Sequence, residues 1–82
     1  MSLDRHEART LVTTSLRRIV PDADLASLGE DDDLRDAFEL DSLDFLSFAE
    51  MLSKGLGRRI DEEDYPKLTT LAGCVSYLSA TP

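Results

Sequence analysis

The sequence predicts an all-α domain: a four-helix bundle with three main helices, one short third helix and a long loop between the first and second helices. Three observations predict it. Apolar residues recur at three- and four-residue steps in three separate segments, the spacing that gathers them on one helix face. No segment alternates apolar and polar residues convincingly over four or more positions, so no strand is expected. Proline, glycine and short polar capping residues fall where those segments begin and end. The 82 residues form one domain, 1–82, with a thin core, because a chain this short buries only about 60% of its unfolded surface. A hydrophobic share of 41% is enough to fold and too much for a disordered tail. Met1 and a full set of elements point to a discrete protein.

The first helix is expected over 4–20, with Ala8, Leu11, Val12, Leu16, Ile19 and Val20 on its apolar stripe and Pro21 stopping it. Residues 21–41 read as a long, Asp-rich connection with Gly29 as a flexible point. Its leucines and Phe38 are too many for a free loop, so it is expected to cross the bundle through Leu28, Leu34 and Phe38. A connection of this length without regular structure is often functional. The second helix should begin at Asp41–Ser42, with Asp41 as N-cap, and run to about Lys54, ended by Gly55 or Gly57. Glu62 to Lys67 should make a short helical turn cut or kinked at Pro66. The last helix should start after Thr69 or Thr70, with Leu71, Val75, Leu78 and Cys74 on its apolar face.

The chain carries 17 acids against 9 bases, a formal charge of -8. That balance argues against nucleic-acid phosphates or anionic lipid as the main partner, and favours partners with basic patches. The charge is uneven. Asp22 to Glu50 holds eleven acids and one base, Arg35, a local -10, whereas residues 1–20 are locally +2. A calcium loop fails on spacing. Counted from Asp22 or Asp31 there is no glycine at the sixth position, and counted from Asp31 the twelfth is Ser42 rather than a bidentate glutamate. No apolar run approaches the roughly 20 residues of a membrane span, and the start, Met1-Ser2-Leu3-Asp4-Arg5, lacks the apolar stretch of a secretory signal. One cysteine excludes an intrachain disulfide. Cys74 reads as a buried structural thiol and His6 as a surface residue, with no metal site. A Ser–His–acid hydrolase lacks its nucleophile elbow. Tyr65 and Tyr77 read as partly buried aromatics with hydroxyls in water.

At about 100° per residue, Phe45, Phe48, Ala49, Leu52 and Leu56 share one arc of the second helix, its core face. Leu43 and Leu46 fall on the opposite side with Ser47, Glu50 and Lys54. Two outward leucines flanked by Asp44 and Glu50 read either as ordinary surface residues or as a small apolar docking spot with an acidic rim.

Asp41-Ser42-Leu43 follows a long acidic loop and opens an amphipathic helix. With Leu34, Phe38, Leu52, Leu56, Ile60, Leu68, Thr69-Thr70-Leu71, Val75 and Tyr77-Leu78, it resembles the acyl carrier protein family. The likeness runs ungapped from Asp41 to about Ala80, while the first helix is similar only in type and length. The resemblance implies that Ser42 carries covalent 4′-phosphopantetheine, placed there from coenzyme A by a phosphopantetheinyl transferase, with Asp41 as helix cap and motif residue. The arm's thiol would hold an acyl group, in fatty-acid, polyketide or related lipid biosynthesis. The protein itself would be a cytoplasmic, monomeric carrier and not an enzyme, with no catalytic residues and no membrane insertion. Leu43 and Leu46 would supply apolar docking contacts. Asp44, Glu50, Glu62 and Glu63 would supply acidic ones for acyl-transferring enzymes with basic patches. The inner faces of the helices would line the core and, in part, a pocket for an acyl chain.

The chain departs from the family's pattern at several places. Glu39 stands where fatty-acid carriers have glycine, making the backbone before Ser42 less permissive. Phe45 replaces a small polar residue and narrows the pocket mouth. Ser53, Lys54, Arg58 and Arg59 replace part of an acidic stretch and change the docking surface, and Pro66 sits inside the short third helix. These departures read as a specialised carrier with dedicated partner enzymes, or else as ordinary drift within a housekeeping carrier. Two other readings stand beside it. One is a peptidyl or aminoacyl carrier, disfavoured because the paired glycines common before the serine there are missing. The other is an unmodified acidic helical adaptor binding through Leu43, Leu46 and their rim.

Overall fold

The structure, a computed structural model, describes residues 3–80. Met1 and Ser2 of the polar start, and residues 81 and 82 at the end of the expected domain, lie outside them. Helix α1 spans Arg5–Ile19. Asp4 and Glu7 close a capping box over its start: the Glu7 amide donates to Asp4 Oδ1 at 2.7 Å, and the Asp4 amide donates to Glu7 Oε1 at 3.1 Å. Arg17 and Arg18 occupy its last turn, where cations suit the negative helix end. Ala8, Val12 and Leu16 are fully buried, while Leu11, Ile19 and Val20 at the stripe's edge are only half-buried.

The connection that follows is more ordered than its sequence pattern suggests. It contains a short 3₁₀ turn, Leu25–Ser27, and a five-residue helix, α2, Leu34–Phe38. Elements this short cannot display a helical repeat, so periodicity misses them. Side chains hold them instead. Asp33 accepts from the Arg35 and Asp36 amides, Ser27 Oγ donates to Asp24, and the Gly29 amide donates to Asp32. The expected crossing is present: Leu34 is fully buried, and Leu28 and Phe38 pack against the core. Leu40, given no role in the sequence reading, is also buried. Backbone bonds from Leu34 N–H to Thr69 O (2.8 Å) and from Ala72 N–H to Glu30 O (2.9 Å) tie the connection to the start of the last helix. An Arg9–Glu30 ion pair at 2.9 Å links it to α1.

Helix α3, Ser42–Leu56, runs slightly beyond Lys54. Gly55 lies inside it, and Gly57 ends it. With φ at +82°, Gly57 takes the left-handed conformation that turns the next amide back, so that Arg58 N–H reaches Ser53 O at 3.2 Å. The Ser53 hydroxyl is used internally: it donates to Ala49 O and accepts from the Ile60 amide. Of the four residues expected to alter the docking surface, Ser53 therefore acts mainly on the turn after α3, and only Lys54, Arg58 and Arg59 are exposed. The short third helix is present as a 3₁₀ helix, Glu62–Leu68. Pro66 lies within it, and the missing N–H there rules out one of the bonds an α-helix would need.

Helix α4 covers Leu71–Ala80. Its cap is Thr70, whose Oγ1 accepts from the Gly73 amide at 3.0 Å, whereas Thr69 Oγ1 donates back to Pro66 O. The result is a small helical bundle in which α1 packs on α3 and α4, and α4 packs on the 3₁₀ helix. Phe45, Phe48, Ala49, Leu52, Leu56, Ile60, Leu68, Leu71 and Val75, expected inside, are all buried.

At this end Gly73 packs against the Lys67 backbone. A Cβ on Gly73 would collide with the Lys67 carbonyl oxygen, which is anchored in the main chain and cannot swing away. Gly73→Ala should therefore lower stability by about 1–3 kcal/mol through overpacking, although alanine is the better helix former by about 1 kcal/mol. Urea denaturation checks this; an unchanged or raised midpoint would refute it.

A serine at a capped helix end

Ser42 is the first residue of α3 and is exposed. Asp41 stands in extended backbone before it, and its Oδ1 accepts from the Asp44 amide at 2.8 Å. Asp44 returns the contact, its Oδ2 accepting from the Asp41 amide at 3.4 Å. The Phe45 amide bonds to Asp41 O at 2.9 Å. The first-turn N–H groups of Ser42 and Leu43 thus remain for solvent or a ligand, at the positive end of the helix dipole. No described residue takes the Ser42 hydroxyl.

Ser42 opens onto a groove of about 620 Å³ shared with Arg35, Phe45, Leu46, Glu62, Tyr65, Pro66 and Thr69. Phe45 forms its floor. The ring is 92% buried, stands edge-on to Tyr65 with centroids 6.0 Å apart, and lies 6.1 Å from Phe48. Arg35 lies over the ring, with Cζ 5.6 Å from its centroid and Nε donating to Leu40 O at 3.5 Å. A second groove shares Leu46, Glu62 and Tyr65 with the first and continues along α3 past Glu50 to Lys54 and Arg59.

The structure brings Ser42, Leu46 and Glu62 together, with Glu50 next along α3. Leu43 is 74% exposed and Leu46 39%. The difference follows from rotation: Leu46 lies about 60° beyond Ala49 at the edge of the buried arc, and Leu43 about 60° further round. Glu63 is exposed but lines neither groove. Phe45 was expected at the pocket mouth, whereas Arg35 and Tyr65 beside it were not. The one available signal was that Arg35 is the lone base among eleven acids.

Other expected features find simple places. Burial pushes the Cys74 thiol up to about 12, and its Sγ donates to Leu68 O. That thiol is inert by the usual criterion of thiolate character. His6 borders a groove with Gly55, at the far end of α3. The 13 residues from Ser42 to Gly55 span roughly 20 Å of helix, so His6 and Ser42 are not partners. Among the described residues no group of acids, histidines and cysteine is placed to hold a metal. The Tyr77 hydroxyl is not left to water: it donates to Asp64 Oδ2 at 2.8 Å, and Lys67 Nζ lies 3.2 Å from Asp64 Oδ1. The hydroxyl, then the ammonium, hold the Asp64 carboxyl below its ordinary range, while desolvation and that carboxylate raise Tyr77.

The residues present fit a phosphodiester on Ser42. The oxygen is accessible, unpaired by any described residue, next to free amides, and beside a groove with largely apolar walls, one guanidinium and the Glu62 carboxylate. The family described as "Phosphopantetheine attachment site" matches the chain over residues 9–78, and no curated protein matches it.

Just before the site, Glu39 ends α2 at φ +54° and ψ +43°. Where the sequence led to the expectation of a less permissive backbone, a glutamate occupies the left-handed conformation itself. That conformation costs an L-residue roughly 1–2 kcal/mol, against about 0.5–1 kcal/mol of chain entropy that a glycine adds. Glu39→Gly should therefore raise stability by up to about 1 kcal/mol, read as a higher midpoint in thermal or urea denaturation. A clear loss of stability would show that Glu39 is held there by a favourable contact.

Proposed function

The chain belongs to the phosphopantetheine attachment site family, whose domains are substrate carriers rather than enzymes, and we propose that it is an acyl carrier protein modified on Ser42. The family's prosthetic group is 4′-phosphopantetheine, held covalently. When attached, it supplies a terminal thiol on which an acyl unit rides as a thioester.

The observation that carries Ser42 is its exposed position at the capped start of α3, its hydroxyl unclaimed by any described residue and open to a groove. Asp41 keeps the first turn formed, so the Ser42 and Leu43 amides face the place where a phosphodiester's charge would lie. On this reading Ser42 needs no catalytic base of its own, because the partner transferase brings the catalytic groups. Leu43 and Leu46 form the apolar part of the docking surface, and Asp44, Glu50, Glu62 and Glu63 its acidic rim. The surrounding -10 steers basic partners toward it.

The cargo assigned is an acyl intermediate of fatty-acid, polyketide or related lipid biosynthesis, carried by a cytoplasmic monomer. Asp41 directly before Ser42, without a glycine pair, supports this over a peptidyl or aminoacyl carrier. Glu39, Phe45 and the basic end of α3 support a specialised carrier with dedicated partners. Among the described residues no helix is long and apolar enough to cross a membrane.

Incubation with coenzyme A, Mg²⁺ and a broad-range transferase should add one phosphopantetheine, seen by intact mass and absent in Ser42→Ala. An unmodified wild type favours the unmodified adaptor and ends the carrier reading. Leu46→Ala should weaken acyl transfer by partner enzymes while costing about 1 kcal/mol or less of stability, because the side chain is partly exposed. A loss of 2–5 kcal/mol, the range of a core deletion, would place Leu46 inside instead.

A further inference from the structure

Arg35 is the only base between Asp22 and Glu50, within a run holding eleven acids. A guanidinium so placed would be expected to pair with a neighbouring carboxylate. The ion pairs among the described residues are Arg9–Glu30 and Lys67–Asp64, and neither uses it. Its contacts are the stack over Phe45 at 5.6 Å and the Nε–H to Leu40 O at 3.5 Å. Asp36, adjacent in sequence, makes no ion pair with it among the described residues, and the Asp33 carboxylate is occupied in accepting the Arg35 and Asp36 amides. The guanidinium is thus positioned by a ring and a carbonyl, with its terminal N–H groups uncommitted, in the groove that contains Ser42. Among the described residues it is the only cation lining that groove.

We propose that Arg35 holds the phosphodiester of the group borne by Ser42, seating the first part of the arm against the Phe45–Tyr65 wall. The inference rests on the assignment of Ser42 above. A guanidinium presents a planar fork that pairs with two phosphate oxygens, and it stacks on an aromatic ring without losing that fork. The site needs such a group. The phosphodiester would add a negative charge beside a segment that carries eleven acids, with Asp41 and Asp44 flanking the serine and Glu62 lining the same groove. Arg35 is the local counter-charge. Its stack over Phe45 also gives a use to the bulky residue at that position.

Phosphorus NMR of the modified protein, with relaxation of an isotope-labelled pantetheine arm, tests this. Wild type, Arg35→Gln, Arg35→Lys and a remote control, Arg18→Gln, are each modified and checked by intact mass. In wild type the phosphorus resonance should be displaced from that of free coenzyme A's corresponding phosphodiester, and the arm's first atoms should move more slowly than its thiol end. Arg35→Gln should lose most of the displacement and bring the whole arm to uniform fast motion. Arg35→Lys should retain part of both, and Arg18→Gln all of both. Salt of about 0.5 M, with a Debye length of only a few ångströms, should shift wild type toward Arg35→Gln. The unmodified variants, compared by amide spectra, report whether Arg35→Gln keeps the fold. If it does not, the Arg35→Lys and salt results decide. Identical phosphorus shifts and arm mobility in wild type, Arg35→Lys and high salt overturn the proposal. No adduct on any folded variant overturns the Ser42 assignment and this inference together, whereas an adduct with an unheld arm overturns this inference alone.

Discussion

Burial of Phe48 and Leu52 sets the rotation of α3 about its axis, and most of the outer surface follows from that. Both side chains are fully inside. A helix advances about 100° per residue, so once they point inward the other positions have no freedom. Phe45, Ala49 and Leu56 complete the buried arc, Ser42 and Leu46 come to its edge, and Leu43 is carried outside. The capping box of Asp41 and Asp44 then sets where the helix begins, and so places Ser42 on the first turn rather than within the helix or before it. Rotation and start together expose one hydroxyl beside free amides. A carrier surface needs little else from its own chain.

The acidic connection serves two purposes that composition alone merges. Asp24, Asp32 and Asp33 spend their carboxylates on nearby hydroxyl or amide groups and so build short turns too brief to stand without them. A capping carboxylate keeps its charge, so the same residues contribute to the long-range field around Ser42. Order and electrostatics come from one set of side chains. The field is interrupted at Arg35, which the Phe45 ring and the Leu40 carbonyl hold beside the serine.

The far side of the bundle is assembled by close contact rather than by charge. The 3₁₀ helix carries Leu68 into the core, and α4 lies on it near enough that Gly73 meets the Lys67 backbone. Thr70 caps α4 and pairs with Asp33, while Thr69 O accepts from Leu34. The acidic connection, the 3₁₀ helix and α4 are therefore locked at one junction. This junction holds the wall of the groove opposite α3 in place, including Tyr65 and Pro66.

Much of this was legible in the chain before folding was considered. The three long helices show a 3.6-residue repeat, the Asp41 cap precedes Ser42, and the core face of α3 follows from spacing that local geometry alone dictates. The outward leucines were readable for the same reason. Short elements were not: α2 has five residues, below the length at which a repeat exists, and its stability comes from Asp33 and from Leu34 buried by distant partners. The choice between Thr69 and Thr70 as cap, the left-handed Glu39 and the Tyr77–Asp64 bond likewise depend on what the rest of the chain places nearby. The sequence determined the helices, the capped serine and the acidic setting, because those are written in neighbouring residues. Only the tertiary structure decided that Arg35, Phe45 and Tyr65 form the wall beside Ser42. They lie on three different elements, and only packing brings them to one place.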